Sequence, residues 1–423
     1  MLDSSRQVSS GSLTRPRAVA RLLAATLAGA ACLAGAHSTA SAQIDFEHHY
    51  ISTTFPRLSG FGQSTVGDFN NDGRPDFLMG QHYGTREKRQ YLFVNDGSPD
   101  DWPFYVVTTD NTGDGGVNAL DVDGDGWLDI VSSGSWFRNS GKPTSEPFTK
   151  HVYDDGAFGG HDMLIADIDG DGRQDVVVNT DKGDRNGGEN GLFWYRIPDD
   201  PTTPWTRTRI GPAVHSGMWP AGIGDIDGDG DQDVFTRAWY ENADGAGGRW
   251  VEHDNLDFGR RGAFGYSQQS ALADMDADGD LDVVHGESDY FENARIQWSE
   301  NVDGEGGPWE AHPLPMNDEQ AGDFHSVAAH DFDGDGDVDV FGAESEWRAE
   351  RARWFIWENL DGRGGSFRRH TILEGLGAHN ALAADMDGDG DVDIVNKEFA
   401  PADWNRLGGG QHADFLENRS RPR

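Results

Sequence analysis

The chain has 423 residues, 36% of them apolar, and its 34 basic against 74 acidic side chains give a formal charge of −40. That length and apolar fraction are enough to bury a core, and the sign of the charge excludes a phosphate-reading surface, so nucleic acid is not an expected partner. The one Cys, Cys32, has no second Cys to pair with, so packing and bound ions must supply the stability.

Residues 1–42 read as a secretory signal peptide. Arg15, Arg17 and Arg21 precede the small, apolar run 22–35, and Ala40-Ser41-Ala42 offers an A-x-A cleavage site before Gln43. The run is too short and too rich in Ala and Gly for an anchor, and Gly29 stands where a lipoprotein signal before Cys32 carries an aliphatic residue. The segment holds four Arg and one Asp, so the chain from residue 43 has 30 basic and 73 acidic side chains, a charge of −43. No later apolar run approaches the roughly 20 residues that span a bilayer. A secreted protein, periplasmic or extracellular and with no membrane span, is expected, with a single domain over 43–423.

Seven copies of one nonapeptide, D-x-[DN]-x-D-G-x-x-D, then follow at intervals of 46 to 58 residues. Positions 1, 3, 5 and 9 are Asp68, Asn70, Asp72 and Asp76 in the first loop, and Asp121, Asp123, Asp125 and Asp129 in the second. The third has Asp167, Asp169, Asp171 and Asp175; the fourth has Asp225, Asp227, Asp229 and Asp233. The fifth has Asp274, Asp276, Asp278 and Asp282, and the sixth Asp331, Asp333, Asp335 and Asp339. The seventh has Asp385, Asp387, Asp389 and Asp393. Oxygen ligands in that number around a Gly turn suit Ca2+ rather than zinc or copper, so up to seven structural Ca2+ ions are expected. An acidic solvent coat would scatter its charges, whereas here every one of these positions is Asp except Asn70. With Asn70 and Pro75 the first loop carries one charge fewer and is expected to be the weakest site.

The flanks of each loop, such as QDVVVN, VDVFG and VDIVN, alternate apolar residues at period two and are rich in Val and Ile, which is strand patterning. An EF-hand would need helical flanks and a Glu at the twelfth position, which is Ser132, Val178, Thr236 or Gly342 in four copies. Further along each unit comes an aromatic strand ending in Asn (WFRN, WYEN, WSEN, WEN). A Gly-rich turn then leads to a last strand with the pattern aromatic-x-x-His, as in Phe148/His151, Trp250/His253, Trp309/His312 and Phe367/His370. Four short strands per unit, repeated seven times, predict an all-β, seven-bladed β-propeller. The chain ends after a third-strand signature, FLEN, and the absent fourth strand is found at Phe46–His49, so the two termini are expected to complete the last blade and close the ring.

These loops resemble the calcium-binding repeats of the FG-GAP and VCBS type found in integrin α-subunit propellers, and the resemblance covers essentially all of 43–423. It implies the propeller fold and the metal. Adhesion proteins, propeller lectins and several carbohydrate lyases and dehydratases share the repeat, so the resemblance does not choose an activity.

The first strand of each blade is expected to begin on the face opposite the calcium loops, near the central channel. The residue six before each loop is there Gly62, Gly115, His161, Trp219, Gln268, His325 or His379, with His215 a few residues from Trp219. The turn after the second strand reaches the same face with His82, Arg237, His285 and Glu287, Glu344 and Glu346, and Lys397 and Glu398. The candidate ligand-binding residues are therefore His161, His215, Trp219, Gln268, His325, His379, Glu344 and Lys397. The aromatic-x-x-His residues, including His49, recur in one strand position and read as structural.

Two functions from different classes follow. One is a binding module for a carbohydrate or protein ligand on the face opposite the calcium loops, favoured by the lack of a G-x-S-x-G elbow, an H-E-x-x-H helix or a phosphate loop. The alternative is a carbohydrate lyase or dehydratase, in which His325 or His379 is the catalytic base and Arg237 or Lys397 steadies the enolate. Imidazole also suits a second metal such as Zn2+ at the channel mouth. His161 lies nearly across the ring from His325 and His379, which speaks against a site using all three. A purely structural surface component is a third reading.

Overall fold

The Val- and Ile-rich stretches on either side of each acidic loop form antiparallel strand pairs, because the loop reverses the chain within a single tight turn. Its sixth residue is always Gly with positive φ, from 85° at Gly172 to 104° at Gly279, a region that side chains with a Cβ avoid. In the computed structural model the described residues are 43–420, apart from 55, 57–59, 82–84, 114–115, 158, 182–187, 257–267, 289–293, 317–321 and 348–351. The expectations for residues 1–42, His82, Gly115 and the side chain of Gln268 lie outside them.

Blade 1 comprises Phe61–Gly67, Asp76–Gln81, Gln90–Phe93 and Phe104–Thr108, and blade 2 comprises Val117–Leu120, Asp129–Ser132, Ser135–Arg138 and Thr149–Val152. Blade 3 is Gly160–Ala166, Asp175–Thr180, Gly191–Arg196 and Thr206–Gly211; blade 4 is Ile223–Gly224, Asp233–Phe235, Trp239–Asn242 and Trp250–His253. Blade 5 is Gln268–Ala273, Asp282–Glu287, Ile296–Asn301 and Trp309–Pro313, and blade 6 is Phe324–His330, Asp339–Glu344, Arg353–Asn359 and Phe367–Glu374. Blade 7 takes Leu382–Ala384, Asp393–Lys397 and Ala413–Asn418 from the C-terminal end and Phe46–Ser52 from the N-terminal end. Phe46 pairs with Asn418 and His49 with Phe415, so the ring closes as the two terminal signatures predict. One departure from the simple plan occurs at blade 4, where Pro220–Ala221 pairs in parallel with the innermost strand of blade 5 before the chain joins its own sheet.

Among the described residues, the buried apolar side chains fall into seven clusters, each spanning two neighbouring blades. Blades 6 and 7 meet around Phe341, Trp354, Ile394 and Leu416, for example, and blades 5 and 6 around Ile296, Trp298, Val340 and Trp357. A hydrogen-bond latch recurs across these interfaces. The Asn ending the third strand donates its side-chain amide to the carbonyl at position 2 of the preceding blade's loop: Asn139 to Phe69, Asn242 to Ile168, Asn301 to Ile226, Asn359 to Met275, Asn418 to Phe332, and Asn95 to Met386 across the closure. Blade 3 has Ile197 at this position. Among the described residues no helix is long and apolar enough to cross a membrane.

Candidate functional site

Two regions at opposite ends of the sheets carry concentrated chemistry. At one end are the seven acidic loops. The position 1 carboxylate accepts backbone N–H groups of the turn, as Asp68 does from Asp72 (3.0 Å) and Gly73 (2.8 Å), and Asp121 from Asp125 and Gly126. The position 9 Asp is buried in every loop. It accepts from position 2 and from the third strand, as Asp282 does from Met275 (2.9 Å) and Asn301 (2.8 Å). Burial pushes these carboxyls up to about 7 at Asp76, Asp129, Asp175, Asp233, Asp282 and Asp393, and to about 8 at Asp339, with the neighbouring loop carboxylates adding to the rise against the backbone bonds.

This is an excess of crowded negative charge, and the geometry fits a divalent cation. Carboxylate oxygens of Asp121, Asp123 and Asp129 lie within 4.8 Å of one another, as do those of Asp167, Asp169 and Asp175, of Asp225, Asp227 and Asp229, and of Asp274, Asp276 and Asp282. Asp123 Oδ1, Asp225 Oδ1, Asp276 Oδ1 and Asp333 Oδ2 are buried without a hydrogen-bond partner. A hard cation taking oxygen ligands would satisfy exactly such atoms.

The other end of the sheets is the channel mouth. In blade 3 Gly160 pairs with Thr180 and Asp162 with Asn179, which leaves His161 as a bulge residue; in blade 6 Phe324 pairs with Glu344 and Ser326 with Ala343, which leaves His325 in the same place. A bulge re-aims the side chain it expels from the ladder. His161 and His215 lie with ring centroids 4.4 Å apart, and His325 stacks on His379 at 4.6 Å. Trp347 stands edge-on to both members of the stack, at 4.9 and 5.3 Å, and is 38% exposed. Three of the imidazoles turn Nδ1 toward a carboxylate: His161 to Asp162 (2.7 Å), His215 to Asp181 (2.7 Å) and His379 to Glu346 (3.6 Å). Burial holds His379 well below the usual imidazole range, helped by the charge of Lys397 and by His325, His161 and His215. The other three imidazoles therefore all bear electrostatically on His379.

The channel is narrow, since Gln63 of blade 1 donates to Asp162 of blade 3 (3.0 Å) and accepts from the Met163 amide (3.2 Å). Asp162 also receives the backbone amides of Gly217, Met218 and Trp219, while the Trp219 side chain, 2% exposed, packs in the apolar cluster between blades 3 and 4 rather than offering a free ring to a ligand. Lys397 is fully buried. Its Nζ donates to the carbonyls of Phe61 (3.2 Å) and His379 (2.5 Å), joining blade 7 to blade 1; burial lowers its pKa, and the nearby Glu346 opposes the shift. Glu346 is raised by burial and by Glu398.

Other candidates are engaged elsewhere. Glu344 takes the backbone amides of Gly322 and Arg353 and the Arg353 guanidinium, as Glu287 takes the Arg295 amide and guanidinium one blade earlier. Arg237 bonds Glu252 and Asp254 at the outermost strand of blade 4. Three of the aromatic-x-x-His residues act within their blades: His253 and His312 stack on Trp239 and Trp298 and bond Glu241 and Glu300 at 2.8 Å, and His370 bonds Glu358 at 2.6 Å; His49 of blade 7 instead reaches Asp100 of blade 1 at 3.3 Å. Residues of the mouth that the repeat register does not reveal are Gln63, Asp162, Trp347 and Phe399. Of these, Trp347 had a partial sequence signal, since it stands outside the strand positions where most of the Trp recur.

The sequence profile of the FG-GAP-like repeat matches residues 68–132, 121–178, 274–342 and 331–395, more than half of the chain. No curated protein matches. Among solved structures, the chain is similar to the V. cholerae biofilm matrix protein Bap1, at 13% identity over 90% of this chain and 92% of that one, with a TM-score of 0.48. It is also similar to a polysaccharide lyase, an ulvan lyase (10% identity, 86% and 96% covered, TM-score 0.46), and to the Penicillium chrysogenum α-L-arabinanase (9%, 89% and 97%, 0.42).

Proposed function

The chain belongs to the FG-GAP-like repeat family, and from that premise we propose that it is a secreted, calcium-stabilised propeller that binds a carbohydrate at its channel mouth, on the face opposite the acidic loops. The observation that carries this reading is the stacked His325–His379 pair with the partly exposed Trp347 edge-on to both rings, and the paired His161 and His215 close enough to act electrostatically on His379. An aromatic platform offers stacking area to a sugar ring, and imidazoles and carboxylates offer donors and acceptors to its hydroxyls. Calcium in the loops at the other end would hold the blades in register. The loop oxygens of positions 1, 3, 5 and 9 would be its ligands, and its charge would offset the carboxylate repulsion there.

A second reading, elimination by a lyase or dehydratase, is favoured by His379. Kept neutral by burial, it is a proton acceptor at neutral pH, and Lys397 and Glu346 beside it are likewise shifted from their ordinary ranges. Arg237, tied to Glu252 and Asp254, is less suited than Lys397 to steady an enolate there.

Incubating the calcium-loaded protein with neutral and uronic-acid oligosaccharides, and reading retained and altered masses by mass spectrometry, separates the two. Retention without conversion, weakened in Trp347→Ala, is the expected result. Loss of water or an unsaturated cleavage product establishes the second reading, and no retention at all refutes a carbohydrate ligand and leaves a protein partner.

A further inference from the structure

The seven loops share one frame, but two flanking positions divide them into two groups. Position 7 is Arg74, Trp127 and Arg173 in loops 1 to 3, and Asp231, Asp280, Asp337 and Asp391 in loops 4 to 7. The third-strand residue before the latch position is Val94, Arg138 and Arg196 in blades 1 to 3, and Glu241, Glu300, Glu358 and Glu417 in blades 4 to 7. Both changes run in the same direction. Loop 2 with Arg138 carries a formal charge of −3, from four Asp and one Arg, whereas loop 4 with Asp231 and Glu241 carries −6, from five Asp and one Glu.

The side chains make the difference concrete. Arg138 places Nε 2.5 Å from Asp123 and Nη2 2.8 Å from Asp125, and Arg196 places Nε 3.0 Å from Asp169 and Nη2 2.6 Å from Asp171. In both cases the planar fork spans positions 3 and 5, oxygens that a cation in the loop would need. Arg74 reaches Asp72 of loop 1 at 2.7 Å. In loops 4 to 6 the corresponding Glu241, Glu300 and Glu358 bond His253, His312 and His370 of the fourth strand and offer the loop carboxylates no guanidinium. These loops hold the buried, unpartnered oxygens Asp225 Oδ1, Asp276 Oδ1 and Asp333 Oδ2, and Asp333 is only 2% exposed. Loop 2 keeps one such oxygen, on Asp123, whose other oxygen Arg138 holds.

We propose that Arg74, Arg138 and Arg196 are built-in counter-ions, so that loops 1 to 3 keep their shape without a divalent cation and bind one weakly, while loops 4 to 7 are the cation-dependent sites of the ring. The inference rests on the reading of the loops as calcium sites. It makes the propeller electrostatically lopsided: blades 1 to 3 carry part of their own counter-charge, and blades 4 to 7 depend on ambient calcium.

The test is a calcium titration of the chelator-treated full chain at fixed ionic strength by isothermal calorimetry, with melting followed in parallel. The wild type is expected to fill four sites, with any further sites weaker by on the order of tenfold or more, as one unit charge a few ångströms away implies. Arg138→Gln with Arg196→Gln should add two sites to the tight class and lower the melting temperature of the calcium-free protein. Both guanidiniums are about half exposed, so the folded structure tolerates their loss. Glu300→Arg should remove one tight site. Seven equivalent sites in the wild type, or an unchanged count in the Arg variants, overturns the proposal while leaving calcium binding intact. No calcium uptake at all overturns both.

Discussion

The latch between blades offers the sharpest stability prediction. Asn301 donates to the carbonyl of Ile226 (2.8 Å) across the interface of blades 4 and 5, and within blade 5 it donates to the Leu281 carbonyl (3.4 Å) and accepts the Gly306 amide (3.0 Å). Asn301→Ala removes all three bonds and leaves their partners without this side chain. At about 1 kcal/mol for each bond, the loss is about 3 kcal/mol. A unit of this size unfolds with an entropy of about 0.8 kcal/mol/K, so the melting temperature should fall by about 4 °C. The assay is calorimetric melting in saturating calcium, which keeps the loops loaded in both proteins. Asn242→Ala, which breaks the equivalent bond to Ile168, should behave alike. An Asn301→Ala protein that melts within about 1 °C of wild type would refute the idea that these amides hold the blades together.

Excess EDTA should lower the melting temperature by about 13 °C, since each of four tight sites held a hundredfold above its dissociation constant contributes about 2.7 kcal/mol; an unchanged melting curve would remove calcium from the account. Deleting residues 43–52 takes away the outermost strand of blade 7, including fully buried Ile51, and should abolish cooperative melting of the closed ring, whereas an unaltered transition would deny the closure a role. His412 is buried, which disfavours its charge, but Asp414 and Glu398 outweigh this and push it up to about 10. Its contribution is complete below the unfolded value of about 6.5 and is lost as pH rises toward 10, with a slope of about 1.4 kcal/mol per pH unit between them. His412→Gln should flatten that part of the wild-type stability curve, and parallel curves from pH 6.5 to 9.5 would contradict it.

The blades, the loops and the terminal closure are legible in the sequence because each is a local pattern repeated in register. Asp at positions 1, 5 and 9 and the Asn ending the third strand are copied nearly unchanged, since each bonds backbone that every blade shares. The channel mouth is legible only in part. Counting six residues back from each loop finds His161 and His325, but the bulges that expel them from the ladder are set by pairing with Asn179 and Ala343, which no local pattern states. Asp162 and Gln63 meet from blades 1 and 3, about a hundred residues apart, and Glu346 gains its character from Glu398 and Lys397 of the next blade. Glu344 and Arg237 carry chemistry-bearing groups at the expected turn, yet adjacent partners, Arg353 in one case and Glu252 with Asp254 in the other, engage them. The exchange of Arg for Glu beside the latch position stands openly in the sequence and acquires meaning only once the guanidinium is seen across two loop carboxylates.

The central claim is that the ligand meets the protein at the imidazole cluster opposite the acidic loops. The direct measurement is a nitrogen-15 spectrum of the histidine side chains of the calcium-loaded protein, recorded as a retained oligosaccharide is added. The account predicts shifts at His161, His215, His325 and His379, with His253, His312 and His370 unmoved against their Glu partners. Shifts confined to those fourth-strand residues, or binding that leaves all the imidazoles unchanged, would contradict it.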